Sequence, residues 1–380
     1  MLDDHTAGPR AGTRKAIGGT TGCCSLSLVP DQPALPDSDT KLAARLEVHE
    51  ELQSAIENRS DAELERLLSA SEPLLRDGRD SISLAGTDAP VFVKLVPLSA
   101  FELEPHNRES TSNLFRVPAS YQYRHGGFGC GAWREIEAHE VANRWVLAGQ
   151  CAQFPLLHAW RVVPIEHPDR NAEWRTKPWG DDPIVGRRSA AMAESTHSAA
   201  LFLEPFPQNL LQWTFDQPPG APDPSVHVWE IEARGLDLLA FTNAQDVLHM
   251  DAHFENIMTD GDDQLYLTDW GLTLSRTFDL SSEERDLFER HENYDRCTFI
   301  TSLVHSATSH FYSKGDWLPT LSALLDGTDG RLAHLGHAAR DYVTKRGPVA
   351  VAYMDFYRLL MKDRSTEYPA AELDRLLDGA

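Results

Sequence analysis

Hydrophobic residues change their spacing along the chain, with strand-like alternation mostly in the first half and helical periods dominating the second. The earliest helical period runs through Leu42, Leu46, Leu52 and Ile56, then through Leu64, Leu67 and Leu68. It predicts two short amphipathic helices broken near Asn58–Arg59–Ser60, with Ser60 placed to cap the second. Strand signals follow. Ser81–Ala85 alternates, Gly86–Ala89 is turn chemistry, and Val91–Val96 reads as a strand that carries Lys94 in its middle. An irregular stretch, Glu104–Gly131, holds Pro105, Pro118 and a glycine cluster at its end. Ala132–Leu147 then has helical composition. Phe154–Val163 and Ala199–Glu204 are further strands, the latter stopped by Pro205 and Pro207. Beyond them helices are predicted over Asn209–Phe215, Val226–Ala244, Tyr294–His310, Leu318–Leu325, Pro348–Lys362 and Ala370–Leu377. Strands first and helices later predict an α+β protein.

Composition narrows the classes. The formal net charge of −23 disfavours binding to nucleic-acid phosphates, and no basic patch offsets it. No run approaches the roughly 18 apolar residues of a membrane span, and Met1–Thr21 lacks the apolar core of a signal peptide, so a cytoplasmic protein is expected. The five cysteines, Cys23, Cys24, Cys130, Cys151 and Cys297, have no C-x-x-C spacing, which argues against a disulfide framework and a structural zinc site. Residues 1–40, rich in Gly, Pro, Ser and Asp, read as a disordered tail. Nothing in the sequence sets an oligomeric state.

Candidate chemistry is concentrated in Val247–Met258 and Gln264–Leu272. His249, Asp251 and Asn256 stand in the spacing H-x-D-x-x-x-x-N, and Asp269 follows in D-W-G after the alternating strand Leu265–Leu267. This arrangement resembles the protein-kinase-like superfamily, whose pattern is H-R-D-x-x-x-x-N followed by D-F-G, including its aminoglycoside-phosphotransferase-like branch. The resemblance covers about residues 75–310. It implies a bilobal fold with a small β-rich lobe at 75–205, interrupted by the insertion 104–131, and a larger helical lobe at 206–380. Residues 41–74 would form a helical extension.

The resemblance also implies roles. Asp251 would take the proton of an acceptor hydroxyl, and Asn256 and Asp269 would hold Mg2+ against the phosphates of ATP. Hard oxygen ligands suit that task. Lys94, on its strand, would pair with the α- and β-phosphates and with a glutamate of the following helix. Glu135 is preferred there, Glu137 and Glu140 being the alternatives. Glu204 and Phe206 would lie near the adenine, His249 would support the loop, and His253 occupies a position where small-molecule phosphotransferases commonly carry histidine. The sequence departs from the pattern before Lys94, where no G-x-G-x-x-G stands, and after Gly271, where no A-P-E follows.

The function expected is transfer of the γ-phosphate of ATP to a hydroxyl acceptor, with a protein or peptide Ser/Thr preferred over a small molecule. The preference rests on the length of Glu104–Gly131, which contains Ser110, Thr111 and Ser112. The acidic net charge implies an acceptor that is cationic or flanked by basic residues. Two other classes compete. A partner-binding pseudokinase would have no chemical need for Lys94, Asp251, Asn256 and Asp269 together. A metallohydrolase would use the alternating His249, Asp251 and His253 as ligands.

Overall fold

The structure is a computed structural model and describes residues 38–71, 81–84, 87–123, 129–166, 179, 182–215, 227–261, 264–312 and 317–379. The tail expected over 1–40 lies outside them up to residue 37, as do Gly126, Gly127 and Phe128 of the glycine cluster. The described chain mixes α-helix with small antiparallel sheets, an α+β protein.

Helices α1 (Ser38–Glu57) and α2 (Asp61–Ala70) come first, and Ser60 begins α2 through a capping box with Glu63. Strands β1 (Ser81–Ser83) and β2 (Pro90–Leu98) follow, then helix α3 (Ala132–Leu147) and strand β3 (Leu157–Val163). Helix α4 (Pro183–Ala193) leads to strand β4 (His197–Leu203). The four strands form one antiparallel sheet in the order β1-β2-β4-β3, with Lys94 opposite Leu201.

Alternation decides what each face of this sheet meets. Val91, Val93 and Leu95 of β2, with Ala200 and Phe202 of β4, pack against Leu52, Ile56, Leu64 and Leu68 of α1 and α2. Val96 and Leu98, with Ala199, Leu201 and Leu203, pack against Trp133 and Ile136 of α3. Lys94 has the parity of Val96, so it shares the sheet face covered by α3.

The second half is helical around one large core. Its helices are α5 (Leu210–Phe215), α6 (Val228–Ala244), α7 (Ser282–Arg290), α8 (Tyr294–Thr308), α9 (Trp317–Leu325), α10 (His337–Leu360) and α11 (Ala370–Asp378). Short strands punctuate it: β5 (Gln208–Asn209), β6 (Val247–Leu248), β7 (Ile257–Thr259), β8 (Leu265–Leu267) and β9 (Leu274–Ser275). Strands β7 and β8 pair antiparallel, and β6 pairs with β9. Among the described residues, no helix is long and apolar enough to cross a membrane.

Among the departures from the sequence expectation are two helices. α10 begins at His337, eleven residues before the predicted start at Pro348, and runs through that proline. Tyr342, Val343, Val349, Ala350 and Tyr353 are buried along it, so packing on both sides of Pro348 carries the helix past the lost N–H. α4 was not predicted. Its start is set by Asp182, whose carboxylate accepts from the Ile184 and Val185 amides, and by Pro183 in its first turn.

Gly235 marks the tightest helix contact of the large core: a Cβ there would lie 2.1 Å from the Phe299 ring on α8. Alanine ordinarily favours a helix interior by about 1 kcal/mol over glycine. Overpacking against a buried ring costs about 1–3 kcal/mol and reverses the sign. Gly235→Ala is therefore expected to lower the midpoint of urea unfolding, and an unchanged or raised midpoint would contradict this packing.

Candidate functional site

Lys94 projects from the middle of β2 between two carboxylates that arrive from distant parts of the chain. Its Nζ stands 2.6 Å from Glu135 Oε1 on α3 and 2.7 Å from Asp269 Oδ1. Glu137 instead pairs with Arg144, and Glu140 accepts from Trp160 Nε1. Of the three glutamates considered in the sequence, Glu135 is thus the one brought to Lys94, because it sits on the face of α3 turned to the sheet.

Burial alone would lower the Lys94 ammonium, but Asp269 and Glu135 outweigh it and raise its pKa above the ordinary value. For Glu135 burial wins and lifts the carboxyl, against the pull of Lys94. For Asp269 the desolvation is overcome by Lys94, which holds the carboxyl well below the usual range. Asp269 adopts a left-handed conformation, φ 63°, and its side chain is 46% exposed. It is the cluster's outlet to solvent.

Of the two glycines beside this cluster, Gly129 is the one that a close approach requires. At Gly271 a Cβ would come within 3.4 Å of both Asp269 Oδ1 and Glu135 Oε2. Gly129, at φ +69°, passes so near the Gly271 carbonyl that a Cβ would lie 1.9 Å from its oxygen. The end of the glycine cluster therefore packs directly on D-W-G.

The loop before β7 brings His249, Asp251, His253 and Asn256 together. Asn256 Nδ2 donates to the Asp251 backbone carbonyl and to its Oδ2, each at 3.0 Å. His253 Nδ1 accepts from the Glu255 amide, which leaves Nε2 carrying the proton, 3.5 Å from Asp251 Oδ1. His249 Nε2 lies 2.9 Å from the Thr268 carbonyl, and its Nδ1 accepts from the Asp251 amide at 3.3 Å. The imidazole thus ties Asp251 to the residue preceding Asp269. Register brings the two motifs closer still: Ile257 faces Leu267, and the Thr268 amide donates to the Asn256 carbonyl.

Several supporting residues carry no signal in the motif. Asp295 of α8 accepts from the amides of His249 and Met250 at 2.7 and 2.8 Å, and it is wholly buried. Burial raises its carboxyl to about 7 in spite of those two donors. Glu102 accepts from Ala132 N at the start of α3, while its carbonyl takes Trp133 Nε1. Arg134 pairs with the buried Glu284 at 2.7 Å. The stretch 104–131 takes part: Arg134 also donates to the Thr111 carbonyl, Thr111 Oγ1 accepts from Asp279 N, and Ser112 donates to the Asp279 carboxylate. Its described residues fasten α3 to the chain beyond D-W-G, and the hydroxyls of Thr111 and Ser112 are engaged there.

Glu204 and Phe206 lie where β4 gives way to the helical half. The Glu204 carboxylate is occupied by Arg45 in a two-pronged ion pair, and its amide donates to the Leu156 carbonyl. Phe206 lies against Tyr266 with ring centroids 4.1 Å apart. Among the described residues no group of three or more His, Cys, Asp or Glu is arranged to hold a metal ion by itself. His249 Nδ1 and His253 Nδ1 each accept a backbone amide of their own loop.

Buried imidazoles give the site a pH signature. Burial, with the Lys94 charge second, lowers His139 to about 3, and burial lowers His249 to about 4, against an ordinary 6.5. Between those values the unfolded chain binds protons that the folded chain does not, so stability is present above about 6.5 and is lost as pH falls. Each such histidine contributes a slope of about 1.4 kcal/mol per pH unit; the raised Asp295 carboxyl opposes one of them between about 7 and 4, and the lowered His158 and His291 leave the histidines in excess. The melting temperature should fall between pH 7 and pH 5, and His139→Met should make that fall shallower. A melting temperature independent of pH over this range would contradict the neutral, buried assignment.

In comparisons with known proteins, no family model and no curated protein matches the chain.

Proposed function

We propose that this chain is an ATP-dependent phosphotransferase of bilobal, protein-kinase-like architecture, acting on a hydroxyl acceptor. The observation that carries the reading is the meeting of Lys94 with Glu135 and Asp269, within 2.7 Å, beside a loop in which Asn256 holds Asp251. A cation braced by one buried carboxylate, next to a second carboxylate open to solvent, suits a polyphosphate and its metal.

The donor set fits Mg2+. Asn256 uses its amide nitrogen on Asp251, which leaves the side-chain oxygen, and Asp269 is a half-exposed carboxylate. Mg2+ characteristically takes only one or two protein carboxylates and completes its shell with phosphate and water. Asn256 and Asp269 would hold it, and when bound it would neutralise charge on the phosphate oxygens. Lys94 would meet the phosphates, with Glu135 fixing its ammonium. Asp251 is the general base: its carboxylate accepts the acceptor's hydroxyl proton as that oxygen bonds to the γ-phosphorus and ADP leaves. Asn256 and His253 orient Asp251. The backbone of Glu204 and the ring of Phe206 would border the adenine, since the Glu204 carboxylate is taken.

A cavity of about 290 Å3 adjoins His253, lined among others by Leu211, Phe254, Glu255, Trp317 and Met354. Glu255 favours an acceptor bearing a cation near its hydroxyl, in keeping with the net charge of −23. A basic Ser/Thr peptide satisfies this with one side chain in the cavity. A small amino-alcohol is the second reading, favoured by the apolar walls and limited volume of the same cavity.

Asp251→Asn is expected to retain nucleotide affinity while turnover falls by about 10²-fold or more. Near-normal turnover in a folded Asp251→Asn protein would remove its assignment as base. Mg·ATP should raise the melting temperature of the wild type, and Asp269→Asn and Lys94→Met should abolish most of that shift. Absence of any shift in the wild type would count against the phosphotransferase reading itself. With γ-labelled ATP, label on basic peptides supports the first acceptor class, and label on amino-alcohols alone supports the second.

A further inference from the structure

Helix α1 carries a charged residue within its inward stripe. Arg45, His49, Leu52 and Ile56 recur at helical spacing, so they share one face. Leu52 and Ile56 belong to the core on the sheet, whereas Leu42 and Leu46 pack on the large helical core. The helix therefore bridges both cores, and Arg45 lies between Leu42 and Leu46, at the end that meets the large core.

Every nitrogen of the Arg45 guanidinium is used. Nε and Nη2 grip the two Glu204 oxygens at 2.8 Å each, Nη1 donates to the Ala152 carbonyl at 2.6 Å, and Nη2 donates to the Phe154 carbonyl at 2.7 Å. Its cation also lies 5.0 Å from the centroid of the Tyr266 ring, which packs on Phe206 as well. Glu204 Oε2 accepts from Leu156 N at 3.1 Å. One side chain thus joins the segment entering β3, the segment leaving β4, and strand β8, which ends two residues before Asp269. Packing of α1 would need only an apolar residue here. A planar fork satisfying two carbonyls and a carboxylate instead sets the course of a particular backbone segment.

We infer that Arg45 is a positioning residue for the base end of the nucleotide site, holding the backbone at 204–206 and the Phe206–Tyr266 pair in place. The inference rests on the phosphotransferase reading and deepens it: an element outside the motif region governs affinity for the base. Lys94 and Asp269, at the phosphate end, make no contact with Arg45, so the two ends should be separable.

The test compares Mg·ATP with Mg·tripolyphosphate, which lacks base and sugar, by titration calorimetry on the full chain and its Arg45 variants. Arg45→Ala should weaken ATP binding by about tenfold or more, with the loss appearing in KM more than in kcat. Tripolyphosphate affinity should stay within about twofold, because its contacts are charge–charge and distant. Arg45→Lys, which keeps the charge and loses the fork, should fall between the two and serves if the alanine variant does not fold. Equal loss for ATP and tripolyphosphate would reduce Arg45 to a purely structural part and overturn the inference. Unchanged ATP affinity in a folded variant would overturn it too, leaving the phosphotransferase reading intact. A wild type that binds no nucleotide would remove both.

Discussion

A single ammonium held between two carboxylates is the constraint around which this molecule is organised. Lys94, Glu135 and Asp269 belong to three elements, and like charges cannot sit this close unless the cation stays between them. Glu135 is buried, so its charge is tolerated only because Lys94 faces it. Asp269 is half open, and its backbone takes a left-handed turn at φ 63°. A cluster of this kind contributes little to stability for the charge it gathers. It presents a fixed cation and an accessible carboxylate on the sheet face covered by α3.

Much of the remaining polar architecture serves to hold α3 and the motif loop where that cluster needs them. Glu102 meets the first amide of α3, and Arg134, one turn in, is pinned to Glu284 and to the Thr111 carbonyl. The Arg134–Glu284 pair is almost wholly buried, and loss of either partner from such a pair costs about 3–5 kcal/mol. Asp295 does the same for the loop, fixing two consecutive amides at His249 and Met250. Arg45 does it for the segment leaving β4. Each device links sequence segments far apart, so the site's geometry is a property of tertiary structure and not of its motif alone.

That division explains what could be read from the sequence. Lys94 was legible because it is the one charge inside the apolar run Val91–Val96, and the spacing of His249, Asp251 and Asn256 is local. Glu135 was legible only as one of three, since helical spacing placed it beside the inward stripe without naming its partner. Asp295 stands 46 residues beyond His249, and Glu204 stands 159 residues beyond Arg45, so no period connects either pair. Helix α4 escaped notice because Arg188 interrupts the buried stripe of Val185 and Met192, although Asp182 and Pro183 were signals for its start. Pro348 misled in the other direction. It is a good first residue for a helix, but packing from Tyr342 to Tyr353 made it an interior one.

The central claim is that Lys94 faces the phosphates of ATP. It is tested most directly with an acyl-phosphate derivative of ATP, which transfers its acyl group to a lysine amine beside the bound phosphates. Mass spectrometry of the labelled, digested protein should find the acyl group on Lys94, and excess Mg·ATP should suppress it. Labelling spread over surface lysines, or labelling of Lys94 that Mg·ATP leaves unchanged, would contradict the account.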